Sequence, residues 1–392
     1  MSLAQMGWAK DDLKTRLIVR LQPGAAPLAI AKKYGLTLKD SAIPFAYFEG
    51  SSEAVVSIAQ AAMALDPKIA WAEDDEQTAS PENTGGGRGG TIPAITNDQI
   101  NRQYNAAALT QVGWPIGGEN APEALRLVKV AILDSGLSPN AKSVVAKTIR
   151  VSNSVDAFGW HDFGRNQDTN GDGKVDHMAG HGSMVASIVS MMSSSARFII
   201  VRAVDSDGFG SAWSLTKALV YAVNQGAEIA NLSLGSSTKV PALSDVLDWA
   251  VEEKGLIVVA AIGNGAIGKA IDPASSSKVI CVTGVGPDDR KATFSNWSGD
   301  ADVAAPTLSL RGYHLNGSLA SWSGTSFSAP LVTGGIVDIL SHLSRKVTPN
   351  VLISALKASG QNIDGKNPAF KGKMGRRLDA KGTYGWLKAH GY

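Results

Sequence analysis

The 392-residue chain holds one cysteine, Cys281, so no disulfide can form within it and its redox compartment is left open. That cysteine sits in the apolar run 278–286 and reads as a small buried hydrophobe rather than a reactive thiol. Long apolar runs are missing as well. Each candidate is cut by glycine or a polar residue before the roughly 18 residues that a membrane span requires. Residues 1–10 lack a basic region followed by an apolar core, so no secretory leader is legible there. Charge of one sign is also absent: 37 Lys and Arg stand against 35 Asp and Glu, a formal net charge of +2. So even a balance carries no electrostatic footprint for nucleic acid. What the chain has in quantity is hydrophobic residues, 44% against 18% charged, over a length that exceeds one core. This predicts a soluble globular protein of about two domains.

The first 75 residues read as strand (15–22), a turn at Pro23-Gly24, helix (Pro27–Tyr34), and strand material up to Phe48. A second helix follows, capped by Ser51 or Ser52, with Ala54, Val55, Ile58, Ala62 and Leu65 as its apolar face until Asp66-Pro67 stops it. Residues 69–75 close the unit as a last strand. The order β-α-β-β-α-β predicts a small α+β, ferredoxin-like plait. Residues 81–90 then carry five glycines, whose entropy loss on ordering predicts a mobile boundary between domains.

From Leu127 onward the pattern changes. Strands are expected at 128–133, 198–204, 228–233, 256–262 and 278–283, and helices at 211–224, 241–254, 326–343 and Pro349–Ser359, the last capped by Thr348. Such alternation predicts an α/β domain, a mostly parallel sheet sandwiched by helices. Reactive groups in such sheets gather at the carboxyl ends of strands.

Four residues stand where chemistry would need them. Asp134 ends the first of these strands, His181 opens an apolar helix between Gly180 and Gly182, Asn264 leaves a strand between two glycines, and Ser326 begins another helix. Each has a bland reading: a turn aspartate, a satisfied histidine, a left-handed asparagine, a helix cap. One mechanism requires all four together. A serine hydroxyl is too weakly acidic to attack an amide unless a histidine takes its proton, an aspartate holds the histidine tautomer, and an amide N–H meets the oxyanion. His177 lies four residues before His181, but Gly180 weakens a helix across that span and no glutamate follows His177, so a zinc helix is rejected.

At these residues the chain resembles the subtilisin-like serine proteases, over nearly everything from Val128 to Leu378. Residues 130–136 (VAILDSG) resemble the family's aspartate block, His181-Gly182-Ser183 its histidine block, and Gly324-Thr325-Ser326 with Ala329-Pro330 its serine block. The order Asp, His, Ser is the family's own. The resemblance implies a serine endopeptidase working through an acyl-enzyme, with Asn264 in the oxyanion hole. It also implies that Gly208, Gly210 and Ser211 on one wall, and Ser233, Leu234, Gly235, Ala261 and Gly263 on the other, receive an extended polypeptide substrate. The early residues resemble the family's inhibitory propeptide. Division follows as a propeptide domain at 1–76, a linker and processing region at 77–100 with self-cleavage between about Glu76 and Gly90, and a catalytic domain at 101–392. Export from the cell is implied by the same resemblance. Ser183 stands where the family usually has threonine, and Met184 where many members carry a second histidine. A catalytically silent peptide-binding relative is the rival reading, and the four competent residues argue against it. An α/β-hydrolase esterase would need a Gly-x-Ser-x-Gly elbow and the order Ser, Asp, His, and has neither.

One further segment carries ligand chemistry. Asp168, Asn170, Asp172, Lys174 and Asp176 alternate along a turn with glycine at its bend, as a calcium loop requires. Its twelfth position is Ala179 rather than glutamate. Calcium is therefore expected as a structural ion steadying the loop that leads into His181.

Overall fold

The computed structural model describes residues 13–79, 97–116, 123–155, 159–162, 168 and 176–392, and the backbone path of 87–92. The early unit has the expected order: strand Arg16–Leu21, helix Pro27–Tyr34, strands Thr37–Ala42 and Phe45–Glu49, helix Glu53–Met63 and strand Ile69–Asp74. Its sheet is antiparallel, ordered Thr37–Ala42, Phe45–Glu49, Arg16–Leu21, Ile69–Asp74. Ser52 is the cap of the second helix, its hydroxyl accepting from the N–H of Val55 at 3.3 Å. The buried face of that helix is not the expected one. Val56, Ala59 and Met63 are buried, while Ile58 and Leu65 are 72% and 88% exposed. This helix is apolar around most of its circumference, so spacing alone offered two stripes and the sheet chose the other.

The two faces of the early sheet have different partners. Leu17, Val19 and Phe48 join the helices above them in a core of their own, whereas Ile18, Phe45 and Tyr47 pack into the large domain. Tyr47 stacks on Trp213 with ring centroids 4.9 Å apart, and Phe45 meets Trp249 edge-on at 5.4 Å.

The large domain is built on eight strands, ordered Arg376–Arg377, Val303–Pro306, Ile280–Val285, Ile257–Ala261, Ile229–Leu232, Val128–Asp134, Ala196–Arg202, Thr148–Asn153. Every neighbouring pair is parallel. The five expected strands form the middle of this sheet, with ends shifted by a residue or two. The three that sequence reading missed lie toward its edges, where strands are short or half polar and lack a continuous apolar run. Along Val128–Asp134, Val130 and Ile132 enter one core and Ala131 and Leu133 the other, which is why the central strands read as unbroken hydrophobic runs.

Helices His181–Met192 and Thr325–Ser341 cover one face; Ala212–Asn224 and Pro241–Asp248 cover the opposite one. The single helix expected at 241–254 changes to a π-turn over Trp249–Glu253. Thr348 precedes helix Pro349–Ser359 as expected, but its side chain makes no capping bond. Of the glycine-rich stretch expected to be mobile, residues 87–90 belong to strand Gly87–Ile92, which pairs antiparallel with Leu319–Ser323. Residues 80–86 lie outside the described residues. Among those described, no helix is long and apolar enough to cross a membrane.

Candidate active site

Asp134 is the last residue of its strand and His181 the first of its helix. Two glycines let them meet. Gly180 holds φ +94° at the helix N-cap, a left-handed value that costs other residues strain, and a Cβ on Gly182 would lie 2.3 Å from the carbonyl oxygen of Gly136. The carboxylate of Asp134 lies 2.7 Å from His181 Nδ1, and both side chains are buried. A carboxylate only accepts, so Nδ1 carries the proton and Nε2 is the basic nitrogen of the ring. The N–H of Ser135 holds the same carboxylate oxygen at 2.8 Å.

The start of the histidine helix is fixed by a residue the sequence did not single out. Asp162 Oδ1 accepts from the N–H of Gly180 at 2.8 Å, and Oδ2 accepts from the hydroxyl and N–H of Ser183 at 3.0 and 3.3 Å. Ser183 thus does with its hydroxyl what the family's threonine could do, while Met184 is fully buried in the core. Burial pushes the Asp162 carboxyl up from 3.8 to about 6, opposed by the Gly180 bond and by the charge of buried Arg202. A lone aspartate between aromatic residues carries no sequence signal for this role.

Ser326 lies in the first turn of helix Thr325–Ser341 and is fully buried. Its neighbours tie it to the other candidates. The ring of Phe327 is 5.3 Å from that of His181, and Thr325 donates to Asn264 Oδ1 from both its N–H and its hydroxyl, each at 2.9 Å. With Oδ1 so occupied, Nδ2 is the donating end of the Asn264 amide. Ser326 itself donates from Oγ to the carbonyl of Ser233 at 3.2 Å.

A strand of the chain itself crosses the site. Gln77–Ala79 pairs antiparallel with Phe209–Ser211, and Ala79 exchanges backbone hydrogen bonds of 2.8 and 2.7 Å with Gly235. Gly210, Ser211 and Gly235 therefore contact an extended segment through backbone. Gly208 sits in the turn before it, with φ +83°. Leu234 points into the core, Ala261 ends a buried strand, and Gly263 donates to the hydroxyl of Thr325 at 3.2 Å, so these three shape the walls from behind. The N-terminal unit is fastened beside the cleft by Asp75. Its carboxylate accepts from Trp213 N–H at 2.9 Å, in the first turn of helix Ala212–Asn224 that Ser211 caps, and from the Tyr47 hydroxyl at 2.5 Å.

Of the expected calcium ligands, Asn170, Asp172 and Lys174 lie outside the described residues; Asp168 is exposed and Asp176 buried. Among the described residues, no three acidic, histidine or cysteine side chains form a group able to hold a metal ion.

The profile of Peptidase_S8, the subtilase family, matches residues 126–375. A thermophilic serine proteinase of Bacillus sp. (strain AK1) is 32% identical over 62% of this chain, and the match spans 59% of that protein's length. Thermitase of Thermoactinomyces vulgaris is 30% identical over 60% of this chain and 82% of its own. Among solved structures, fervidolysin from Fervidobacterium pennivorans superposes with a TM-score of 0.70 at 16% identity, covering 95% of this chain and 61% of that one. The epidermin leader peptide processing serine protease of Staphylococcus aureus gives 0.69 at 20% identity, covering 94% and 97%. These structural likenesses speak to the fold.

Proposed function

The chain belongs to the subtilase family of serine endopeptidases, and from that premise we propose that it cleaves polypeptides with Asp134, His181 and Ser326 as catalytic triad and Asn264 as oxyanion donor. The buried 2.7 Å contact between Asp134 and His181, with the ring of Phe327, the residue after Ser326, 5.3 Å from the imidazole, is the observation that carries this reading. In it, His181 Nε2 takes the proton as Ser326 Oγ attacks the scissile carbonyl. Asn264 Nδ2 and the helix N-terminus stabilise the oxyanion. The protonated histidine then gives its proton to the departing amine, and water releases the acyl group by the same steps in reverse roles.

Substrate lies as an added strand between residues 209–211 and Gly235, where backbone hydrogen bonds supply affinity with little demand on sequence. Residues 1–76 act as an intramolecular inhibitor, 77–100 as linker and processing region, and 101–392 as the catalytic domain. The occupation of the cleft by Gln77–Ala79 supports this division. Antiparallel pairing of Ala79 with Gly235 carries the chain onward toward Ser233 and Ser326, so self-cleavage falls beyond Ala79, before about Gly90. Calcium belongs to the proposal through the oxygen donors of Asp168, Asn170, Asp172 and Asp176 and the Lys174 carbonyl, which suit a hard cation; when bound, it would brace the loop before His181. Export from the cell belongs to it as well.

The test compares the full chain with Ser326→Ala by size on a gel. The native chain is expected to split between Ala79 and about Gly90 and the variant to stay whole. Equal splitting of both would assign the cut to another protease.

A further inference from the structure

The serine helix contains a proline, Pro330, four residues after Ser326. A helical carbonyl accepts from the N–H four residues on, and proline has none, so the carbonyl of Ser326 needs another donor. The hydroxyl of Ser233 supplies it at 2.7 Å. From that carbonyl outward every hydrogen-bond direction is forced. Having given its proton to Ser326, Ser233 Oγ must accept, and it does so from Asn231 Nδ2 at 2.9 Å. The opposite end of the Asn231 amide, Oδ1, can only accept, and the hydroxyl of Thr333 donates to it at 2.9 Å. Thr333 stands seven residues beyond Ser326 on the same helix, so the chain of bonds returns to where it began. All four residues are fully buried. The carbonyl of Ser233 meanwhile receives the Ser326 hydroxyl, so Ser233 grips the serine by both its backbone and its side chain.

We propose that Asn231 and Thr333 are positioning residues: acting through Ser233, they set the backbone and hydroxyl of Ser326 for attack. This rests on Ser326 being the nucleophile. Without the Thr333 hydroxyl, the Asn231 amide loses what orients it. Rotated by half a turn, it would present Oδ1 to Ser233 and draw that hydroxyl's proton off the Ser326 carbonyl. The first turn of the helix would then lose the donor that compensates for Pro330.

The test uses the full chain and phenylmethylsulfonyl fluoride, which reports serine activation without a known substrate. Ser326 Oγ bonds to sulfur, the S–F bond breaks, fluoride leaves, and the serine proton passes to His181. Labelling is followed by intact mass against pH. Thr333→Val, close in shape but without the hydroxyl, is expected to label about tenfold more slowly at the plateau, corresponding to the loss of one orienting hydrogen bond. Its pH midpoint should stay that of the native chain, and Thr333→Ser should restore the rate. If Thr333→Val fails to fold by circular dichroism, Thr333→Ala set against Thr333→Ser decides the matter in the same way. Native-rate labelling of the variants lacking the hydroxyl would overturn the proposal, as would Thr333→Ser labelling as slowly as they do. A native chain that is never labelled at Ser326 would instead remove the nucleophile itself, and the inference with it.

Discussion

Thr325 holds Asn264 by two hydrogen bonds to one atom, from its backbone N–H and its hydroxyl to Asn264 Oδ1, both at 2.9 Å. The residue before Ser326 thereby aims the amide proposed to receive the oxyanion. Asn264→Ala should slow self-cleavage on the order of 100-fold, a scale taken from a subtilisin and not from this geometry. Thr325→Val keeps the backbone donor and should lose about tenfold, a single hydrogen bond's worth. First-order decay of the full-length band reads both. A Thr325→Val chain that processes at the native rate would show that the hydroxyl does not orient Asn264.

Asp162 links pH to stability. Its folded value of about 6 stands above the ordinary 3.8 because burial disfavours the charge. The folded chain therefore holds this proton more tightly than the unfolded chain, and stability declines as pH rises through the window from about 4 to about 6, by roughly 3 kcal/mol for a shift of this size. Asp338, also near 6 through burial, acts in the same direction. In a Ser326→Ala background, which excludes self-digestion, Asp162→Asn should narrow the gap in urea-unfolding stability between pH 4.5 and 7.5. An unchanged gap would dismiss the assignment.

Asp75 joins the two units through a buried carboxylate on the start of helix Ala212–Asn224. Replacing it by alanine removes the acceptor of the Trp213 N–H and of the Tyr47 hydroxyl and should cost about 1 kcal/mol. In the Ser326→Ala background the thermal midpoint of Asp75→Ala should fall by a few degrees, and added protease should clip the N-terminal unit sooner. Equal midpoints and equal clipping would show that the apolar contacts of Tyr47 and Phe45 suffice.

Calcium, if held by the loop from Asp168 to Asp176, binds the folded chain and not the unfolded one, so it must raise the melting temperature with concentration. Chelator should lower that temperature in the Ser326→Ala chain, and less so after Asp172→Ala. A melting temperature indifferent to calcium and chelator would remove the ion from the description.

By itself the sequence determined which residues could react and on what kind of element each stands. Strand ends, helix starts and flanking glycines are set by neighbours within a turn or two, and so Asp134, His181, Asn264 and Ser326 were legible with their elements. The unbroken apolar runs likewise announced a sheet buried on both faces. Tertiary structure decided what lies beyond local reach. The Asp134–His181 pair spans 47 positions and the Asn231–Thr333 bond 102. Whether such residues touch depends on the order of strands in the sheet and on which face each helix covers. The same holds for Asp162 beneath the histidine helix, for Thr325 aiming Asn264, and for the buried stripe of helix Glu53–Met63, where the chain offered two apolar faces and only the sheet beneath it could select one. Hydrophobic periodicity reports how a segment meets water; it does not say which partner removes the water.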